Sequence, residues 1–138
     1  MSDVVADTHS IVWFLFDTPR LSPAADAALT AAISSGRRYI SAITLVELNY
    51  LTGKASFPYP GILRHLLSLI ADTGEPVDVL PVTLEIARAL DQVPRSEVPA
   101  MPDRIIAATA VAHKLPLVST DSDIQGSASL KALVPVIW

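Results

Sequence analysis

Four carboxylates stand where apolar segments end, or on faces where a polar side chain has no packing role. They are Asp7 after Val4-Val5-Ala6, Glu47 within Ile43-Thr44-Leu45-Val46-Glu47-Leu48, Asp103 in Met101-Pro102-Asp103-Arg104-Ile105, and Asp121 after Leu117-Val118-Ser119-Thr120. Carboxylates that a fold gathers at one sheet edge repel one another unless a cation lies among them. The pattern therefore points to a divalent-metal site and to phosphodiester chemistry. Taken singly, Asp7, Asp103 and Asp121 have an ordinary alternative, because aspartate at a helix start accepts free backbone N–H groups and favours the helix dipole. For Glu47 the ordinary alternative is a place on the solvent side of its helix, which fits less well because Val46, Leu48, Ile43 and Leu51 around it are apolar. One metal site accounts for all four together. Asp123 is a fifth candidate, either a ligand through water or a turn cap. Thr8 and Thr120 carry hydroxyls that could orient a carboxylate or a metal-bound water. Asp3, Asp17, Asp26, Asp72, Asp78 and Asp91 look like surface or turn residues.

Other chemistries lack their residues. The chain has no cysteine, which excludes disulfides, thiolate zinc sites and cysteine nucleophiles. His9, His65 and His113 lack partners at the helical i+4 spacing of zinc proteases. His9 follows Asp7-Thr8 and could sit near the site or be a packed structural histidine. No nucleophile elbow, Gly-Lys-Ser phosphate loop or dinucleotide-binding glycine motif is present.

The elements that must position these groups follow from periodicity. Val4 to Ala6 reads as a buried strand delivering Asp7 to its carboxyl end. Helical spacing follows at Ile11, Val12, Leu15 and Phe16, then a turn at Asp17 to Arg20. Ser22 with Pro23 starts an alanine-rich helix running to Gly36. Tyr39-Ile40 is a second strand, and Ser41 caps a helix from Ala42 to about Leu51 with Glu47 in its second turn. A Gly/Pro loop over 53–61 leads to an amphipathic helix carrying Ile62, Leu63, Leu66, Leu67, Leu69 and Ile70. Val77 to Leu80 reads as a strand, Thr83 to Asp91 as a helix, and Val93 to Pro102 as a loop after which Asp103 opens another helix. Leu117-Val118 is a strand, and Val134 to Trp138 an edge strand. Strands alternating with helices imply a parallel sheet covered on both faces, whose carboxyl ends collect functional groups.

At 138 residues and 51% hydrophobic content, one domain spanning 1–138 is expected. No apolar window approaches a membrane helix and no signal-like leader opens the chain, so a cytoplasmic protein is expected. The net charge of −4 runs against a nucleic-acid binder. Bound divalent ions would cancel part of it locally and leave Arg37, Arg38, Lys54, Arg104 and Lys114 for phosphates. Lys54 and Arg104 are the substrate-binding candidates; scattered cations are otherwise a solvated surface.

Together these motifs resemble the PIN-domain ribonucleases, and within them the VapC toxins of VapBC toxin-antitoxin pairs. Asp7-Thr8-His9 with Val12-Trp13 resembles the family's opening segment, Ser41-Ala42-Ile43 with Glu47-Leu48 its glutamate helix, and Pro102-Asp103-Arg104 with Ala107-Ala108 its third acidic motif. Leu115 to Asp121 resembles the fourth, and Val136-Ile137-Trp138 is similar to the subgroup's ending. The likeness covers nearly the whole chain. Asn49 and Tyr50 stand where many relatives carry a lysine, and either Asp121 or Asp123 can fill the fourth position. The resemblance implies a three-layer α/β/α sandwich around a parallel sheet, Mg²⁺ or Mn²⁺ as cofactor, RNA as substrate, an antitoxin that blocks the site, and a homodimer within a toxin-antitoxin hetero-oligomer. On this reading Asp7, Glu47, Asp103 and Asp121 hold one or two ions that activate water. Trp13, Phe14, Phe16 and Leu51 could form a groove for an antitoxin helix. The competing class is a non-catalytic phospho-receiver domain, which needs a late lysine; Lys131 is the only candidate.

Overall fold

The computed structural model describes residues 2–71 and 77–138; Asp72, expected on the surface, lies outside them. Three buried residues, Val4–Ala6, form β1 at the centre of a parallel sheet whose order is β3-β2-β1-β4-β5. The others are β2 (Arg38–Ser41), β3 (Val77–Leu80), β4 (Leu117–Val118) and β5 (Val136–Ile137). The chain adds β2 and β3 on one side of β1, then crosses to add β4 and β5 on the other. That reversal opens a crevice at the carboxyl ends of β1 and β4, where open α/β sheets place their ligands.

Both faces of the sheet are covered, as its near-continuous apolar strands require. Successive side chains alternate. Val4, Ala6, Ile40 and Val118 join one core with α1 (Thr8–Phe16), α2 (Pro23–Ser35) and α4 (Ile62–Ala71). Val5 and Leu117 join the opposite core with α6 (Met101–His113), α7 (Ser122–Gly126) and α8 (Ala128–Lys131). Leu29 and Leu66 are fully buried, each contributing about 1.5–3 kcal/mol through burial. The helix α5 (Leu84–Ala89) packs outside α6 through Ile86, Ala89 and Ala108. The helix α3 (Ala42–Thr52) joins both cores, placing Leu48 in the first and Ile43 against the second. This is the expected α/β/α sandwich. No helix among the described residues is long and apolar enough to cross a membrane.

Local signals explain most boundaries. Ser22 accepts the Ala25 N–H at 3.1 Å with Pro23 inside the first turn of α2, and Ser41 accepts the Ile43 N–H at 3.2 Å. Gly36 is required by close approach, since a Cβ there would lie 2.5 Å from the Ser2 carbonyl carbon. Three expectations are corrected. The helix carrying Asp103 begins two residues early, because Pro102 has the fixed φ that a first turn accepts; Asp103 is its third residue, and Ala100 precedes it without a side-chain cap. The segment after Asp121 is helical, as α7 and α8, where no helix was expected. The last strand is limited to Val136–Ile137.

A candidate metal centre at the carboxyl edge of the sheet

Sheet register brings the first two carboxylates together. Ala6 pairs with Val118, and the ladder continues one step beyond the strands as the Asp7 N–H donates to the Val118 carbonyl at 3.0 Å. Asp7 therefore lies beside Ser119. The Ser119 hydroxyl donates to Asp7 Oδ2 at 2.5 Å and accepts the Asp121 N–H at 3.1 Å. Asp7 Oδ1 accepts the Ser10 N–H at 2.9 Å, and Asp121 Oδ2 accepts the Ile124 N–H at 3.0 Å. Both aspartates thus cap helices, α1 and α7, as the ordinary reading has it. Capping does not compete with a site: each oxygen so used keeps a second lone pair.

Asp7 is only 4% exposed, and burial pushes its carboxyl above the ordinary 3.8, opposed by the Ser10 and Ser119 hydrogen bonds and by His9. Glu47 arrives from α3. Thr44, one turn earlier on that helix, meets Thr8 hydroxyl to hydroxyl at 3.1 Å in a buried contact, which fixes α3 against the start of α1. Glu47 Oε1 is buried with no hydrogen-bond partner among the described residues. An orphaned buried acceptor costs about 1–3 kcal/mol, so this oxygen is suited to a cation.

Asp103 lies in the first turn of α6, half-buried, and takes no side-chain hydrogen bond from a described residue. Burial, followed by the negative charges of Asp121, Glu47, Asp7 and Asp123, pushes its carboxyl from 3.8 up to about 7. Four acidic groups thus act together on Asp103. Among the described residues no three carboxylates close into a ready-made cage. The donors are all hard oxygens, which suits a small divalent ion that keeps most of its waters and takes only one or two direct carboxylates.

The remaining expected residues divide. Thr8 is buried and holds α3 through Thr44; Thr120 is half-buried without a side-chain hydrogen bond to a described residue, and Ser119 next to it does the orienting instead. Asp123 is exposed on α7 and leaves the capping to Asp121, while its charge reaches Asp103. The Arg104 guanidinium donates to the Val93 carbonyl at 2.6 Å and the Leu90 carbonyl at 2.7 Å, clamping the segment before α6; this geometry gives its expected phosphate contact no support. Lys54 Nζ stands 4.6 Å from the Tyr50 ring centroid. Arg37 pairs with Asp78 at 2.8 Å, Arg38 is buried with its guanidinium 5.3 Å from the Phe14 ring centroid, and Lys114 closes the far end of α6. Of the expected groove, Trp13, Phe14 and Leu51 pack against the core and Phe16 stays 42% exposed. Val46 and Tyr50, at i and i+4 on α3, are 62% and 67% exposed and form a stripe that sequence reading did not single out.

Ser119, Thr44 and Ser10 were also missed. Only Ser119 carried a signal: it lies two residues beyond the buried Leu117 in strand alternation and two before Asp121. Two clefts, of about 510 and 410 Å³, open around α5 and α6, and none of the five carboxylates lines either.

The sequence matches the PIN domain profile over residues 4–128. Comparison with curated proteins finds no match. Among solved structures, the chain is similar to FitAcB from Neisseria gonorrhoeae at 26% identity and a TM-score of 0.63, covering 96% of this chain and 95% of that one. It is similar to a DNA-bound VapBC from Salmonella typhimurium at 19% identity and a TM-score of 0.67, covering 99% and 97%. A toxin-antitoxin complex from Klebsiella pneumoniae matches at 24% identity and a TM-score of 0.59, covering 91% and 93%. The profile match spans most of the chain and includes Asp7, Glu47, Asp103 and Asp121, and on that ground the chain belongs to the PIN-domain family.

Proposed function

We propose that the protein is a Mg²⁺-dependent endoribonuclease, with Mn²⁺ able to substitute, and that it acts as the VapC-type toxin of a toxin-antitoxin pair. The observation that carries the nuclease reading is the convergence of charge on Asp103, raised to about 7 by burial and by four other carboxylates. An arrangement this unfavourable without a cation is the kind found at functional sites. Asp7 and Asp103 would be direct ligands, Glu47 a ligand directly or through water, and Asp121 with Asp123 would orient the hydration shell. When bound, the ion supplies a water of lowered pKa and positive charge against the phosphate. The chain's own part is positional: Ser119 and the Ser10 N–H fix both oxygens of Asp7, and the Thr8–Thr44 contact sets α3, which carries Glu47.

The toxin assignment is supported by neighbours whose structures are toxin-antitoxin complexes. The antitoxin would lay an apolar helix on the exposed Phe16 and the Val46–Tyr50 stripe. Homodimerisation follows the resemblance alone, and the cytoplasm is the compartment in which such an RNA substrate would be met. The phospho-receiver alternative loses ground, because the family profile matches and Lys131 ends the short surface helix α8.

The test is cleavage of single-stranded RNA and DNA oligonucleotides by the purified protein in Mg²⁺, in EDTA, and with Asp7→Asn. RNA cleavage that needs the metal and falls at least a hundredfold in the variant is expected; an undiminished rate in Asp7→Asn refutes the assignment. Co-expression with the neighbouring small reading frame tests the partner: polar substitution at Val46 and Tyr50 should abolish co-purification, and retained binding counts against this surface.

A further inference from the structure

We propose that His9, backed by Trp13, is a stacking platform for the nucleobase beside the scissile phosphate, so that the substrate is single-stranded RNA held by a base as well as by its backbone. The inference rests on the nuclease reading and names how that site gains affinity. A polyanion approaching five carboxylates needs some attraction besides the ion. Of the cations expected to contact phosphate, Arg37 pairs with Asp78, Arg104 holds two carbonyls, Arg38 is buried against Phe14, and the exposed Lys54 and Lys114 lie over the Tyr50 ring and at the far end of α6. These cations are scattered and do not line one groove beside the carboxylates, so stacking, which every base permits through its π face, is the further source of affinity.

An aromatic strip leads away from the carboxylates. His9 is exposed, two residues after Asp7, and close enough for its charge to act on that carboxyl. Its ring packs on Trp13, one helical turn on, with centroids 5.6 Å apart and planes tilted by 54°. Trp13 in turn contacts Trp138 at 6.1 Å, and the Arg20 guanidinium lies 5.3 Å from the Trp13 ring centroid. The two tryptophans are half-buried against the core, so packing accounts for them. It does not account for His9, which is exposed and whose ring meets Trp13. A cation, an indole and an imidazole in succession beside a phosphodiester-cleaving site suit a base and the adjoining backbone of a single strand.

The experiment is steady-state cleavage of a single-stranded RNA oligonucleotide by the wild type, His9→Ala and His9→Phe, repeated with an abasic nucleotide on either side of the cut. His9→Ala should raise KM about tenfold, equivalent to about 1.4 kcal/mol and within the range of one base–aromatic stack, with kcat within twofold of wild type. His9→Phe should restore KM. Removing the stacked base should penalise the wild type equally and add nothing in His9→Ala. The platform is overturned if His9→Phe is as impaired as His9→Ala, or if the abasic substrate costs the wild type nothing. It also falls if His9→Ala loses antitoxin binding while KM stays fixed, which would make the strip a protein-docking surface. Wild-type protein that cleaves no RNA removes the nuclease reading itself, a result distinct from an unaltered KM in an active enzyme.

Discussion

Asp103→Asn should make the metal-free protein more stable. Asp103 titrates near 7 instead of 3.8 because burial and the charges of Asp121, Glu47, Asp7 and Asp123 oppose its ionisation. The gap, at about 1.36 kcal/mol per unit, is about 4 kcal/mol for a fully enclosed group. The carboxyl is half-buried, and solvent screening reduces the effect to about 1–2 kcal/mol. The sign follows from proton binding. The folded state holds the proton more tightly than the unfolded chain, so stability falls as pH rises from 3.8 towards 7 and is constant above. The asparagine variant escapes that loss. In EDTA at pH 8 it should melt about 3–6 °C above wild type, the expectation for a domain of this size, and the difference should shrink steadily towards pH 4. Added Mn²⁺ should stabilise the wild type at pH 8 and the variant far less, reversing their order. Thermal unfolding followed by circular dichroism measures all of this. A variant no more stable than wild type in EDTA at pH 8 would show that the carboxylates do not crowd one another, and the cluster argument would fail.

Three further outcomes follow from individual contacts. Ser119→Ala removes a buried donor from Asp7 and should weaken Mn²⁺ binding about tenfold by calorimetry; unchanged affinity would deny Ser119 an orienting role. Lys114→Gly should raise the unfolding free energy by about 1 kcal/mol, because Lys114 closes α6 at φ 54°, a left-handed conformation that strains a residue with a Cβ; a loss of stability in denaturant titration would contradict that. The Ser129 side-chain and backbone hydrogen bonds, then the Ser127 hydroxyl, hold the Glu97 carboxyl below its ordinary range. Glu97→Gln should therefore be less stable than wild type at pH 7, with the gap closing as pH falls through the lowered Glu97 value; a pH-independent gap in melting temperature would point to packing instead.

How much of this was legible in the sequence depends on contact range. The run Val4–Ala6 has apolar residues bounded by polar ones and was delimited as observed, and Ser22-Pro23 and Ser41 announced their helices through capping chemistry. β2 is longer than its apolar pair Tyr39-Ile40, because Arg38 is buried against Phe14 and Ser41 serves as a cap, so polarity concealed both. The four- and five-residue helices α8 and α7 are too short to show a helical period. Asp7, Glu47, Asp103 and Asp121 were legible because each interrupts an apolar pattern. The structural contacts of Arg104 were not legible, because its partners, Val93 and Leu90, lie 11 and 14 residues earlier in a proline-punctuated segment whose path periodicity does not give. The Ser119–Asp7 bond spans 112 residues and exists only through the register of β1 with β4.

If the reading is right, these dispersed carboxylates bind one catalytic ion together. Anomalous diffraction from a crystal soaked in Mn²⁺ tests it most directly. A peak within coordination distance of Asp7 and Asp103, with Glu47 directed at it, is expected. Carboxylates turned apart at saturating Mn²⁺, with no peak among them, would contradict it.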